Sequence, residues 1–149
     1  MASEDVLLPR HVVPKRYEIS LEPDLTNCTF SGKVRIACDV ATSTSTIVLH
    51  SHQLAIKEAA FIGSDGKALT PESINLNPKA QTLTCLFGKP LGTGQGTFEL
   101  SFFGTLNDEL AGFYRSKYTI RGEQRWAAVT QFEATDARRC FPCFDQPDL

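Results

Sequence analysis

Cys140-Phe-Pro-Cys143 has the spacing of a redox dithiol. Such a pair becomes reactive when it opens a helix behind a strand of a thioredoxin-like unit, where thiolate formation is favoured. No strand–helix–strand pattern surrounds it, so the favoured reading is two thiols packed at a turn beneath a sheet. His50 and His52 lie two apart after the apolar run Thr46-Ile-Val-Leu, and on a strand that spacing would put both on one face, ready to pinch a metal. No third ligand lies near in sequence and the remaining histidine is His11. A solvated strand end is favoured, and no metal ligand is assigned. The helical His-Glu-x-x-His pattern that delivers two zinc ligands on one face is absent from the sequence. Gly92-Thr-Gly-Gln-Gly96 imitates a phosphate-cradling loop, but no lysine–serine pair and no helix follow it. Asn27-Cys28-Thr29 is a glycosylation sequon that acts only in a secreted chain. A nucleophile–base pairing would need a histidine, and the spacing recommends none of the three. No catalytic residue is assigned. The one dense polar cluster is Thr130-Gln-Phe-Glu-Ala-Thr-Asp-Ala-Arg-Arg139, in which Asp136, Arg138 and Arg139 read as ion pairs stitching a turn onto a sheet.

The elements that must position these residues are strands. Apolar and polar residues alternate at Tyr17, Ile19 and Leu21 and again at Val34, Ile36, Cys38 and Val40, the two-residue period of half-buried strands. Thr46 to His50 and Leu54 to Ile62 are further apolar runs, with Ser64-Asp65-Gly66-Lys67 behind the second as hairpin-turn chemistry. Thr82 to Phe87 and Thr97 to Phe103 are two more strands, and the glycines at 92, 94 and 96 predict a tight hairpin between them. Tyr114 to Ile120 and Trp126 to Thr130 follow, separated by Arg121-Gly122-Glu123. Only Phe132 to Arg139 has room for a short helix or turn, and Pro142 limits it to a turn or two. Short strands spaced by turn signals predict an all-β chain, a β-sandwich or barrel.

The 149 residues, 42% of them hydrophobic, fit one domain with its own core. Fifteen basic and 17 acidic residues give a net charge of -2 without runs of one sign, which argues against nucleic acid or an anionic membrane as partner. Met1-Ala-Ser-Glu-Asp-Val is polar and acidic, unlike a signal-peptide core, and no stretch is long and apolar enough to span a bilayer. Five cysteines, an odd number, match a reducing compartment. The expected location is cytoplasmic.

Ala127-Ala-Val-Thr-Gln-Phe-Glu-Ala-Thr-Asp-Ala-Arg-Arg-Cys-Phe-Pro-Cys-Phe-Asp145 resembles the hallmark run closing the N-terminal part of M1 metallo-aminopeptidases. Leu8 to Tyr17, Pro23-Asp-Leu25 with Phe30-Ser-Gly32, and Leu106 to Tyr118 agree in order and spacing, so the resemblance spans the chain. The wording of Phe113 to Tyr118 and of Ala127 to Arg139 is most similar to the cytosolic puromycin-sensitive branch. Two positions depart: Gln146, where the family usually has an acid before Pro147, and Cys140, where a small residue is common.

The resemblance implies a twisted antiparallel β-sandwich over residues 1–149 that caps a catalytic domain, with a short helix or turn near 132–139. It further implies a domain incomplete at its C-terminal end. The Gly-x-Met-Glu-Asn peptide-binding strand and the zinc-binding catalytic domain are expected beyond Leu149. The parent is then a zinc enzyme removing residues from peptide N-termini, while the 149-residue piece alone is expected to bind no zinc and to be inactive. By position, Glu133 matches the family's glutamate for the substrate α-amino group, and Gln131 would line the pocket for the first side chain. The alternative for Glu133 is a surface ion pair with Arg138 or Arg139. The expected partners are a peptide with a free N-terminus and the catalytic domain in cis. Open sheet edges add the expectation of self-association. The competing function is a truncated, non-catalytic interaction module.

Overall fold

The computed structural model describes residues 7–149; the polar opening Met1–Val6, on which the signal-peptide comparison rests, lies outside them. Ten strands and one 3-10 turn follow in order: β1 (Val12–Asp24), β2 (Thr29–Val40), β3 (Thr44–His50), β4 (Ala55–Ile62), β5 (Ala68–Leu69), β6 (Ser73–Asn77), β7 (Thr82–Leu91), β8 (Gly94–Thr105), β9 (Gly112–Ile120), β10 (Glu123–Gln131), and the turn Ala137–Arg139. The all-β expectation is met, and the helical allowance at the end shrinks to that single turn.

The strands form a five-stranded sheet in the order β1-β2-β8-β4-β5, a three-stranded sheet β3-β7-β6, and a ribbon of β9 and β10. All strand pairings are antiparallel. Alternation sets the register. In β2, Phe30, Gly32, Val34, Ile36, Cys38 and Val40 are buried while the residues between them are not. Ile36 faces Phe98 and Val34 faces Leu100 across the β2–β8 ladder. A slip of one residue would turn this whole apolar row to water, so the register is strongly specified. The three-stranded sheet answers with Ile47, Leu49, Leu83, Cys85 and Phe87, all buried. Phe87 joins the two sheets: its ring lies 6.4 Å from those of both Phe61 and Phe98, edge-on to each. The core sits between these layers.

Three sequence-based expectations change. The glycine run at 92–96 is no tight hairpin, because β7 pairs with β3 and β6 whereas β8 pairs with β2 and β4. The run carries the chain from one sheet to the other. A corner and a hairpin demand the same permissive backbone, and only strand pairing separates them. Ile19, read as an inward residue of β1, shares a face with its partner Val34 yet stays 41% exposed. β1 is an edge strand, and there the inner face is only partly covered. Finally, β5 and β6 supply an edge strand to each sheet and had no counterpart in the periodicity reading.

The ribbon is built differently. Ile120 and Glu123 are paired across a two-residue loop, whose Arg121 and Gly122 have φ of 51° and 80°, the left-handed pair that a tight hairpin requires. Its base packs on the sandwich through Phe113, whose ring lies 5.0 Å from Phe30.

Candidate functional site

Beyond the ribbon, the polar cluster begins at its last rung. Gln131 ends β10 opposite Gly112 and is exposed. Phe132 follows with its ring edge-on to Phe141 at 5.9 Å, and Phe141 in turn meets Tyr17 at 6.1 Å. The Asp136 N–H donates to the Phe132 carbonyl (2.8 Å), closing a turn around Glu133, Ala134 and Thr135. Glu133 is exposed.

The two arginines that follow diverge. Arg138 turns inward and is buried; it donates to the Asp145 carboxylate (2.9 Å), the Asp145 carbonyl (3.3 Å) and the Gln81 side chain (3.3 Å). Arg139 turns outward and donates to Asp136 (2.8 Å), Glu109 (2.7 Å) and Gln53 (3.0 Å). Asp136, Arg138 and Arg139 are thus the stitching ion pairs read from the sequence. The alternative pairing of Glu133 with either arginine does not form: among the described residues, no basic side chain makes an ion pair with Glu133. Gln53, Gln81 and Glu109 complete the network and were not singled out from the sequence. Gln53 and Gln81 adopt left-handed backbone, with φ of 58° and 55°, which no residue spacing announces.

The chain after the 3-10 turn is fastened beneath this cluster. Cys143 and His50 exchange backbone hydrogen bonds of 2.8 and 3.1 Å, and the Phe144 N–H donates to the Tyr17 hydroxyl (3.0 Å). Burial holds that hydroxyl neutral, with its pKa well above the ordinary tyrosine value. His50 is no solvated strand end. It is 7% exposed, its Nδ1 accepts the Asp145 N–H at 3.2 Å, and burial together with the Arg138 charge brings its pKa down to about 4. His52 lies beyond the end of β3, so the two histidines share no strand face. Cys140 and Cys143 are buried free thiols, and burial pushes Cys140 up to about 12 and Cys143 higher still. Thiols so disfavoured as thiolates are packing groups, which removes the redox reading. Among the described residues, no three His, Cys, Asp or Glu side chains gather as a metal site.

Gln146, one of the two unusual positions, uses both ends of its amide: Oε1 accepts the Leu8 N–H (2.9 Å) and Nε2 donates to Asp148 (2.7 Å). An ionised acid has no proton for the second bond. Cys140, the other, is fully buried in the core.

The model of the peptidase M1 N-terminal domain matches residues 13–149. The chain belongs to that family. This M1 N-terminal domain is 46% identical over 143 residues to "Aminopeptidase M1" of Arabidopsis thaliana, covering 94% of the chain and 16% of the relative. It is 39% identical over 150 residues to "Alanine/arginine aminopeptidase" of Saccharomyces cerevisiae, with 96% and 17% covered. With "Endoplasmic reticulum aminopeptidase 1" of Homo sapiens it shares 38% over 146 residues, with 95% and 16% covered. The M1 domain therefore spans about a sixth of the length of these relatives. Among its described residues, no helix is long and apolar enough to cross a membrane.

Proposed function

We propose that this domain is the amino-terminal part of a zinc-dependent aminopeptidase, in which Glu133 binds the free α-amino group of a peptide and Gln131 lines the pocket for its first side chain. The observation that carries this reading is the state of Glu133: an exposed carboxylate on a closed turn, followed in the chain by two arginines that pair with other acids. An exopeptidase must tell a chain terminus from a chain middle, and the terminus differs by one ammonium. An unpaired carboxylate on such a turn reads that charge and sets the distance from the amino group to the bond to be cut, through one of the stronger hydrogen bonds available. Gln131, at the end of β10, offers a neutral amide to the adjacent side chain.

The family match and the relatives' names support the enzyme class. The described residues form no three-ligand metal cluster, so they do not fit the zinc site, and the domain contributes binding and orientation while it caps the catalytic domain in cis. Five cysteines without a disulfide among the described residues favour a cytoplasmic location, which fractionation of cells expressing the untagged protein would test.

The decisive experiment changes Glu133 to Ala or Gln in the full-length protein. The kcat/KM for peptides with free N-termini falls by about tenfold to a hundredfold, the loss of one charged hydrogen bond in a pocket, with zinc content unchanged. Unchanged kinetics in a folded, zinc-loaded variant would sink the reading.

A further inference from the structure

Arg139 reaches three acceptors on three separate segments: Asp136 in its own turn, Gln53 between β3 and β4, and Glu109 between β8 and β9. Its side chain is only 20% exposed. It also lies over Gly112, whose φ of +71° is left-handed and whose position leaves no room for a Cβ, since one would run into the Arg139 side chain. Gly112 is the register partner of Gln131. One guanidinium thus fixes Asp136, which closes the turn carrying Glu133, and packs on the rung carrying Gln131.

Neither arginine of the turn pairs with Glu133. Arg139 donates to two carboxylates and an amide oxygen, and Arg138 donates to Asp145 and Gln81. Among the described residues, no ion pair occupies Glu133.

We propose that Asp136 and Arg139 are positioning residues for peptide binding. They hold the Glu133 turn and the Gln131 rung in one geometry. This rests on the reading of Glu133 as the amino-group contact. Removing the Asp136 charge weakens the tie that holds the turn.

The test uses full-length protein bearing Asp136→Asn, Arg139→Lys, Glu133→Gln and the Asp136→Asn/Glu133→Gln pair, each checked for folding by thermal unfolding and for zinc content. Two readouts are taken: KM and kcat on a free-amino peptide, and the inhibition constants of a free-amino dipeptide and its des-amino counterpart. Asp136→Asn lowers kcat/KM about tenfold, mainly through KM, and shrinks the preference for the amino-bearing inhibitor. The double variant is no worse than Glu133→Gln alone. Arg139→Lys, which keeps the charge but replaces the planar fork with a single ammonium, shows a smaller loss of the same kind, and it carries the test if Asp136→Asn does not fold. A twofold or smaller effect of both Asp136→Asn and Arg139→Lys beside a large effect of Glu133→Gln overturns the proposal and leaves the amino-group reading standing. Losses that add in the double variant, or an unchanged inhibitor preference, also overturn it, because they mark general destabilisation. No effect of Glu133→Gln overturns the amino-group reading and the proposal with it.

Discussion

In β8 the residues Phe98, Leu100 and Phe102 are at most 3% exposed, whereas no residue of β10 is buried. Both are antiparallel strands of similar length, but β8 lies between two partners and beneath a second sheet, while β10 pairs with β9 alone. Burial of apolar area is the main stabilising term in folding, and a two-stranded ribbon by itself is marginal. The contrast assigns different tasks to the two regions. The sandwich carries stability, and the ribbon with its terminal turn presents polar groups that the fold does not itself require.

Cutting into each region with the same kind of substitution would break or sharpen that contrast. Phe98→Ala empties a site packed against Phe87 and should cost about 3–5 kcal/mol, the range for a buried aromatic. Val129→Ala on β10, where the side chain is 37% exposed, should stay within about 0.5 kcal/mol. Chemical denaturation midpoints check both, and comparable losses would erase the distinction.

A pH effect separates the regions next. His50 lies under the terminal segment with Arg138 and Asp145 facing it, and its pKa drops from 6.5 to about 4 on folding. A histidine depressed in this way stabilises the fold fully above the unfolded value. That contribution is lost as pH falls from about 6.5 toward about 4, because the unfolded chain takes up the proton first. The loss is at most about 3 kcal/mol. His50→Asn supplies an amide oxygen where Nδ1 accepts the Asp145 N–H and cannot titrate, so its stability should vary less between pH 7 and pH 4.5. Parallel pH profiles for the two proteins would show that His50 is not the group responsible.

How much was legible follows from the same physics. Alternation along Val34, Ile36, Cys38 and Val40 revealed β2 because a strand with one covered face writes its burial into every second residue. The β7–β8 connection misled because Gly92 to Gly96 permit either a hairpin or a corner, and pairing is decided by residues far apart in sequence. His50 misled too: its burial depends on Cys143 and Asp145, more than ninety residues away. At the candidate site, the ion-pairing of Asp136, Arg138 and Arg139 was readable because acid and bases are close in the chain. Gln53, Gln81 and Glu109 reach the same arginines from distant loops, and nothing local marks them.

A small, local effect belongs to the free half of the ribbon. Trp126 lies with Arg115 4.8 Å and Lys117 4.9 Å from its ring centre, and Arg115 is itself held by both oxygens of Asp108 at 2.6 Å. A cation over an exposed aromatic face contributes about 0.5–1 kcal/mol. Lys117 has no ion-pair partner among the described residues, so its ring contact is the cleaner one to remove. Lys117→Met keeps the apolar stem and deletes the charge. It should destabilise the ribbon by under about 1 kcal/mol while leaving the sandwich untouched. Native-state hydrogen exchange resolves the two: faster exchange is expected at β9 and β10 amides, with β2 and β8 amides unchanged. Equal acceleration in β8 would mean that ribbon and sandwich open as one unit, and the division of labour drawn from their burial would fail.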